Sequence, residues 1–358
     1  MTGPARGRTV ANVPSESKRA RIAIDAMGGD NAPDEIVAGA LLAQRDGGVD
    51  LTLVGDEARI RPLLTGPGAA SIAVSHVAGE IAMDAPAAQA VRNARGTSLG
   101  QTVEMVRDGS ADAALSAGNS GAFLAIALVR LRTIAGIARP AIAAVLPSIG
   151  GPIVLCDAGA NVDCRPEWLA QFGLMGDAYA KVALGIARPR VGIISIGEER
   201  SKGNQQTLEA AALLDAAPLH FIGHVEGKDL YAHHADVVVA DGFVGNVILK
   251  TSEGAAQFIS TMLREMIAGA PPLGKVGALL LKPSFAALRA RLSYDTYGGA
   301  PLLGVRGACI VTHGRSNRIA IRNAIRNAAA LAERNLVGTI EAALTEALAV
   351  PPVAAEAP

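Results

Sequence analysis

Aromatic residues make up only 3% of this 358-residue chain, with a single Trp, although hydrophobic residues of all kinds reach 50%. The core must therefore be built from small aliphatic side chains in close contact. Excess charge is lacking as well, since 33 Lys and Arg balance 33 Asp and Glu. No global field draws the chain to a polyanion, and nucleic acid is not expected as a partner. Cysteine is scarce. Cys156, Cys164 and Cys309 are widely spaced and contain no CxxC pair, which argues for reduced thiols and against a disulfide framework or zinc site. No uninterrupted apolar run reaches the roughly 20 residues that span a bilayer. Residues 1–20, rich in Arg, Pro, Ser and Gly, carry no apolar block like that of a signal peptide and read as a loose tail, so a cytoplasmic chain is expected.

Common catalytic signatures are missing too. "AMGGDNAP" is not GxGxxG, and no acidic residue closes a second strand about 20 residues later, as a dinucleotide fingerprint requires. Residues 269–276 nearly spell a P-loop, but Val276 stands where Ser or Thr would hold magnesium. No GxSxG elbow occurs, and the six His show no HxxxH spacing on a helix. Neither a metal nor an organic cofactor is expected, and covalent catalysis has little support.

What is present is a repeated alternation. Short apolar runs fall at 21–25, 51–54, 72–77, 113–116, 142–146, 153–157, 191–196, 220–222, 237–240 and 309–312, mostly continuous, as strands buried on both faces are. Segments of helical period lie between many of them, such as Trp168, Phe172, Met175, Tyr179 and Val182, opened by Pro166. The pattern predicts an α/β chain with a largely parallel central sheet covered on both faces.

Ligands of such sheets sit beyond the carboxyl ends of strands, and six runs lead into loops of glycine and short polar residues. These are 28–31 (GGDN), 116–121 (SAGNSG), 157–161 (DAGAN), 197–204 (GEERSKGN), 241–246 (DGFVGN) and 313–316 (HGRS). Each alone is an ordinary turn. Together they outline a Gly-lined polar cleft suited to an oxyanion, with Lys202, Lys250, Arg315 and His313 as cations at its rim.

At this point the residues carry a family. "IAIDAMGGDNAPDEIVAGALLA", "SAGNSGA", "LCDAGANVDCRPEWLAQFGLMG", "PRVGIISIGEERSKGNQQT", "FIGHVEGKDL", "DVVVADGFVGNVILKTSEG" and "YGGAPLLGVRGACIVTHGRS" together resemble the PlsX family, the acyl carrier protein:phosphate acyltransferases of bacterial phospholipid synthesis. The resemblance runs in order from about residue 21 to 331. Ser120 stands where Thr is expected, which keeps the hydroxyl. The resemblance implies a three-layer α/β/α fold like that of phosphate acetyltransferases and isocitrate dehydrogenases, over residues 21–336, with a tail or helix at 337–358. It also implies a homodimer, and a reaction in which inorganic phosphate attacks the thioester of a long-chain acyl carrier protein. The acyl phosphate passes to a membrane-bound glycerol-3-phosphate acyltransferase.

That chemistry needs neither a strong base nor a covalent nucleophile, because phosphate attacks by itself and a thiol of pKa near 8.5 leaves readily. Positioning and charge stabilisation carry it. Gly28, Gly29, Asn31, Gly118, Asn119, Ser120 and Gly121 are therefore expected to hold phosphate. Lys202, Asn204, Asn246, Lys250 and His313 are expected to stabilise the oxyanion. Carboxylates would repel phosphate, so Asp25 and Asp157, with Asn161, are expected to orient loops rather than react.

Two surface expectations complete the reading. Arg318, Arg322 and Arg326 recur every fourth residue as a candidate docking ridge for the acidic carrier protein. A basic amphipathic segment at about 253–292, with Leu279, Leu280, Leu281, Phe285 and Leu288, is a candidate for peripheral membrane contact or dimer packing. Rival readings are a short-chain phosphate acetyltransferase using acyl-CoA and a non-catalytic carrier-protein or membrane scaffold.

Overall fold

The computed structural model describes residues 19–285 and 297–349. Its strands are β1 (Ala20–Asp25), β2 (Val49–Gly55), β3 (Ala73–His76), β4 (Ala113–Ser116), β5 (Ala141–Pro147), β6 (Pro152–Cys156), β7 (Arg190–Ile194), β8 (His220–Val225), β9 (Val237–Val239), β10 (Ala300–Leu303) and β11 (Ala308–Val311). The helices of the first half are α1 (Asp34–Asp46), α2 (Glu57–Ile60), α3 (Ala87–Asn93), α4 (Ser98–Arg107) and α5 (Ser120–Leu131). Those of the second half are α6 (Pro166–Tyr179), α7 (Gln205–Asp215), α8 (Asp229–Ala232), α9 (Gly242–Gly269), α10 (Pro272–Leu280), α11 (Arg318–Glu333) and α12 (Leu336–Ala349). The expected helix around Trp168 is α6, with Pro166 in its first turn and Phe172, Met175 and Tyr179 buried.

All the strands belong to one 11-stranded sheet in the order β3-β2-β1-β4-β11-β10-β5-β6-β9-β7-β8. β1, β2, β3, β4 and β11 run parallel. β10 is antiparallel to both its neighbours, and β5 is antiparallel to β6. β6, β9, β7 and β8 are again mutually parallel. Strands β6, β7 and β9 thus point opposite to β1, β4 and β11. The polar loops form two sets at opposed strand ends rather than one row.

Every residue of β4, β9 and β11 is buried, which explains their continuous apolar runs. Small side chains set the layer spacing. A Cβ on Gly39 of α1 would lie 2.5 Å from Ile321 Cβ of α11, so the two helices approach backbone to side chain. α12 closes one side with Leu336, Ile340 and Leu344 buried. Among the described residues no helix is long and apolar enough to cross a membrane.

Candidate active site

The first set of loops follows β1, β4 and β11. Asp25 is buried at the end of β1, where the Ser116 hydroxyl donates to Oδ2 at 2.7 Å and the Met27 N–H to Oδ1 at 3.2 Å. Burial pushes its carboxyl up, against hydrogen bonds from Ser98, Ser116 and the Met27 and Gly28 backbone that pull it down. A Cβ on Gly28 would collide with Asp25 Oδ2 and lie 2.9 Å from the Gly118 nitrogen. Gly29, at φ +110°, brings its backbone against Ala117 and Gly314, and the Asp30 N–H donates to Gly314 O at 2.8 Å.

Gly28, Gly29 and Gly118, expected at the phosphate, here bind loop to loop, and the Gly118 N–H donates to the Ser116 hydroxyl oxygen at 2.9 Å. Asn119 is likewise committed. Its Oδ1 caps α5 by accepting from the Ala122 N–H at 3.0 Å, and its Nδ2 donates to the Met83 and Ala85 carbonyls at 2.9 Å each. Asn31 is exposed, and its carbonyl accepts the Glu35 N–H. Ser120 and Gly121 remain at the open N-terminus of α5, where a Gly121 Cβ would approach nothing closer than Asn119 Oδ1 at 3.4 Å.

The second set follows β6 and β9. Asp157, fully buried, takes the Ile142, Gly159 and Ala160 N–H groups on Oδ1 at 2.9–3.1 Å. Its Oδ2 takes the Ala160 and Asn161 N–H groups and Asn161 Nδ2 at 2.7–3.0 Å. Burial still holds this carboxyl above its ordinary range. Asn161 Nδ2 also donates to Pro140 O at 2.8 Å. Asp157 and Asn161 thus shape the loop on which α9 lands. A Cβ on Gly245 would strike Asp157 O, and the Gly242 N–H donates to Asn161 O at 2.6 Å.

A cavity of about 270 Å³ joins the two sets. Ser120, Thr312, His313 and Ser316 come from the first, Gly159, Asn246, Lys250 and Glu253 from the second, and Ile142, Ala144 and Leu249 give it apolar wall. Lys250 Nζ lies 2.9 Å from Glu253 Oε2. His313 Nδ1 accepts the Arg315 N–H at 3.0 Å, which leaves Nε2 as its other hydrogen-bonding atom. Thr312 Oγ1 is buried, without a hydrogen-bond partner among the described residues, a cost of about 1–3 kcal/mol. A larger cavity of about 400 Å³, around Asp112, Arg306 and Asn335, lies at the amino ends of β1, β4 and β11, away from these loops.

Of the expected oxyanion group, Asn246, Lys250 and His313 reach the wall, together with Ser120 from the phosphate group. Lys202 and Asn204 do not. They sit on the β7–α7 loop, where Lys202 O accepts from Ser195 Oγ at 3.0 Å and Asn204 caps α7 through the Thr207 N–H at 2.8 Å. Glu253, Thr312 and Ser316 were missed. Glu253 had a readable signal, lying seven residues after Asn246 on one helix face. All three cysteines are free, and burial pushes Cys164 and Cys309 up to about 12 and Cys156 well above its ordinary value, so none is a thiolate nucleophile.

The surface expectations fare differently. Arg318 is forked onto Glu35, and Arg322 Nη2 meets Asp46 Oδ1 at 2.8 Å, with Arg326 Nη1 3.9 Å from the same carboxylate. These pairs hold the Glu35 and Asp46 carboxyls below their ordinary range. The ridge is laced to α1 and is not a free basic stripe. Leu279, Leu280 and Leu281 are exposed, Phe285 is half-buried, and Leu288 lies outside the described residues. The apolar surface extends over the earlier part of the segment at about 253–292 as well, since Phe258, Ile259, Met262 and Met266 of α9 are all more than half exposed.

An 11-stranded sheet between helix layers, with a cavity where its two loop sets meet, defines a three-layer α/β/α fold shared with solved phosphotransacetylases. One from Streptococcus pyogenes matches with TM-score 0.60 at 18% identity, covering 88% of this chain and 94% of that one. The EutD phosphotransacetylase from Staphylococcus aureus matches at 0.58 and 16%, covering 88% and 95%. The chain belongs to the fatty acid synthesis protein family, whose profile matches residues 20–338. A phosphate acyltransferase of Myxococcus xanthus is 49% identical over 333 residues, 92% of this chain and 93% of that protein. Another, of Desulforudis audaxviator, is 47% identical over 320 residues, 89% and 95%.

Proposed function

We propose that the chain transfers a long-chain fatty acyl group from acyl carrier protein to inorganic phosphate, releasing acyl phosphate and the free carrier thiol. The observation that carries the proposal is the cavity itself, in which the α5 N-terminus and the Asn246, Lys250 and His313 side chains surround a space with apolar wall. Phosphate would bind at Ser120, where the first-turn N–H groups of a 12-residue helix and a hydroxyl converge. One phosphate oxygen attacks the thioester carbonyl, the C–O bond forms, and charge moves to the carbonyl oxygen. Lys250, Asn246 and His313 are placed to receive that charge. Collapse breaks the C–S bond and returns a thiol that needs no strong acid to leave.

The proposal includes a setting. The exposed apolar residues of α9 and α10 suit a lipid surface or a second copy of the chain, consistent with a homodimer held peripherally on the cytoplasmic membrane face. There a membrane-bound glycerol-3-phosphate acyltransferase would take the greasy product. The test is thiol release from palmitoyl-acyl carrier protein with and without phosphate, with acyl phosphate trapped as the hydroxamate. Acetyl-CoA and palmitoyl-CoA are run beside it. Phosphate-dependent release with hydroxamate is the expected result. Release from acetyl-CoA alone would favour a short-chain acetyltransferase, and no release from any donor would favour a scaffold.

A further inference from the structure

Glu253 is out of character in a wall suited to an anion. It shares one face of α9 with Asn246, Leu249 and Lys250, and all four border the cavity. Its carboxylate lies 2.9 Å from the Lys250 ammonium. The N-terminus of α5 at Ser120 borders the same space. A carboxylate can only accept hydrogen bonds, so against an anion without a proton it repels. Against an anion that carries one, it accepts.

We propose that Glu253 selects inorganic phosphate over sulfate by accepting the O–H of hydrogen phosphate, while Lys250 and the α5 N-terminus take the unprotonated oxygens. Sulfate has the same shape and charge but no proton at neutral pH, so one of its oxygens would face the Glu253 oxygen with nothing between them. Discrimination built on a repulsive element of this kind is stronger than added attraction alone provides. The inference rests on the phosphate reading above and concerns binding only, since Glu253 makes and breaks no covalent bond.

The experiment is calorimetric titration of the full-length chain with phosphate, arsenate and sulfate at pH 7.5, repeated on Glu253→Gln and Lys250→Met. Phosphate and arsenate, which both carry a proton, should bind the native chain about tenfold or more tighter than sulfate. Gln can donate to sulfate, so Glu253→Gln should erase that ratio. Lys250→Met should weaken all three anions together and leave the ratio in place. An equal shift of phosphate and sulfate in Glu253→Gln would mean that Glu253 only neutralises Lys250, and would overturn the proposal, as would equal binding by the native chain. Thiol release measured in parallel separates the two readings. Selective binding without phosphate-dependent release sinks acyl transfer and keeps the selectivity, whereas release with discrimination undiminished in Glu253→Gln does the reverse. Absence of binding by any of the three anions overturns both.

Discussion

Asp157→Asn is the substitution in which the geometry sets both sign and size. Each carboxylate oxygen of Asp157 accepts three donors, Ile142, Gly159 and Ala160 on one side and Ala160 with both Asn161 groups on the other. Asn offers one oxygen and one NH₂, and the Ala160 N–H, shared by both oxygens, keeps an acceptor in either orientation, so two donors face a donor. At about 1 kcal/mol or more for each such loss the variant should be destabilised by about 2 kcal/mol, less whatever is regained by no longer burying a charge. That corresponds to a Tm lower by roughly 4–8 °C at about 2–4 °C per kcal/mol. The loop is the seat of α9, so Asn246 and Lys250 shift with it, and kcat/KM should fall by about 100-fold. Because burial raises the native carboxyl, the ionised form is disfavoured in the folded state. Its contribution to stability is complete below the unfolded pKa of about 4 and is lost as pH rises toward the native value. The variant should lack that slope. Differential scanning calorimetry across pH 3–8, with thiol-release kinetics, measures all three effects. An unchanged Tm together with full kcat/KM would refute the account of the loop.

Lys250→Met and Asn246→Ala should each lower kcat/KM by about 100-fold in the thiol-release assay, the scale of one lost oxyanion donor. Lys202→Ala, remote from the wall, should stay within a few-fold of native, and a 100-fold loss there would place the cavity wrongly. Iodoacetamide at pH 7.5 should leave activity intact, because Cys164 at about 12 exposes a thiolate in roughly 1 molecule in 10,000 or fewer. Leu279→Glu combined with Leu281→Glu should abolish flotation with anionic vesicles while thiol release from soluble donor continues. Flotation that survives both changes would remove lipid as the partner of this surface.

The strands were legible because buried strands are continuous apolar runs, but Ala300–Leu303 was not, since it is short and holds Pro301. That omission hid two antiparallel pairings, while the net reversal of sheet direction falls at β5, which is antiparallel to both β10 and β6. The cavity wall was legible where a loop side chain reaches it, as with Ser120, Asn246, Lys250 and His313. The loop packing at Gly28, Gly29 and Gly118 was not legible, because a glycine that admits a ligand and one that admits another loop look alike in sequence. Asn119 and Asn204 were read as ligands and serve as helix caps, the commoner use of that residue after a strand. Arg318 and Arg322 looked free because their acceptors, Glu35 and Asp46, lie far away in the chain.

Among the described residues α9 is buried only at its beginning. Its buried residues are Gly242 and Gly245, and its cavity contacts end at Glu253, although the helix continues to Gly269. Descendants of this chain are therefore free to rewrite the outer half of α9, changing what it adheres to without relearning the chemistry at its base. The same division makes the outer half a graft point, where a segment from a relative living with a different lipid composition can be exchanged as one cassette.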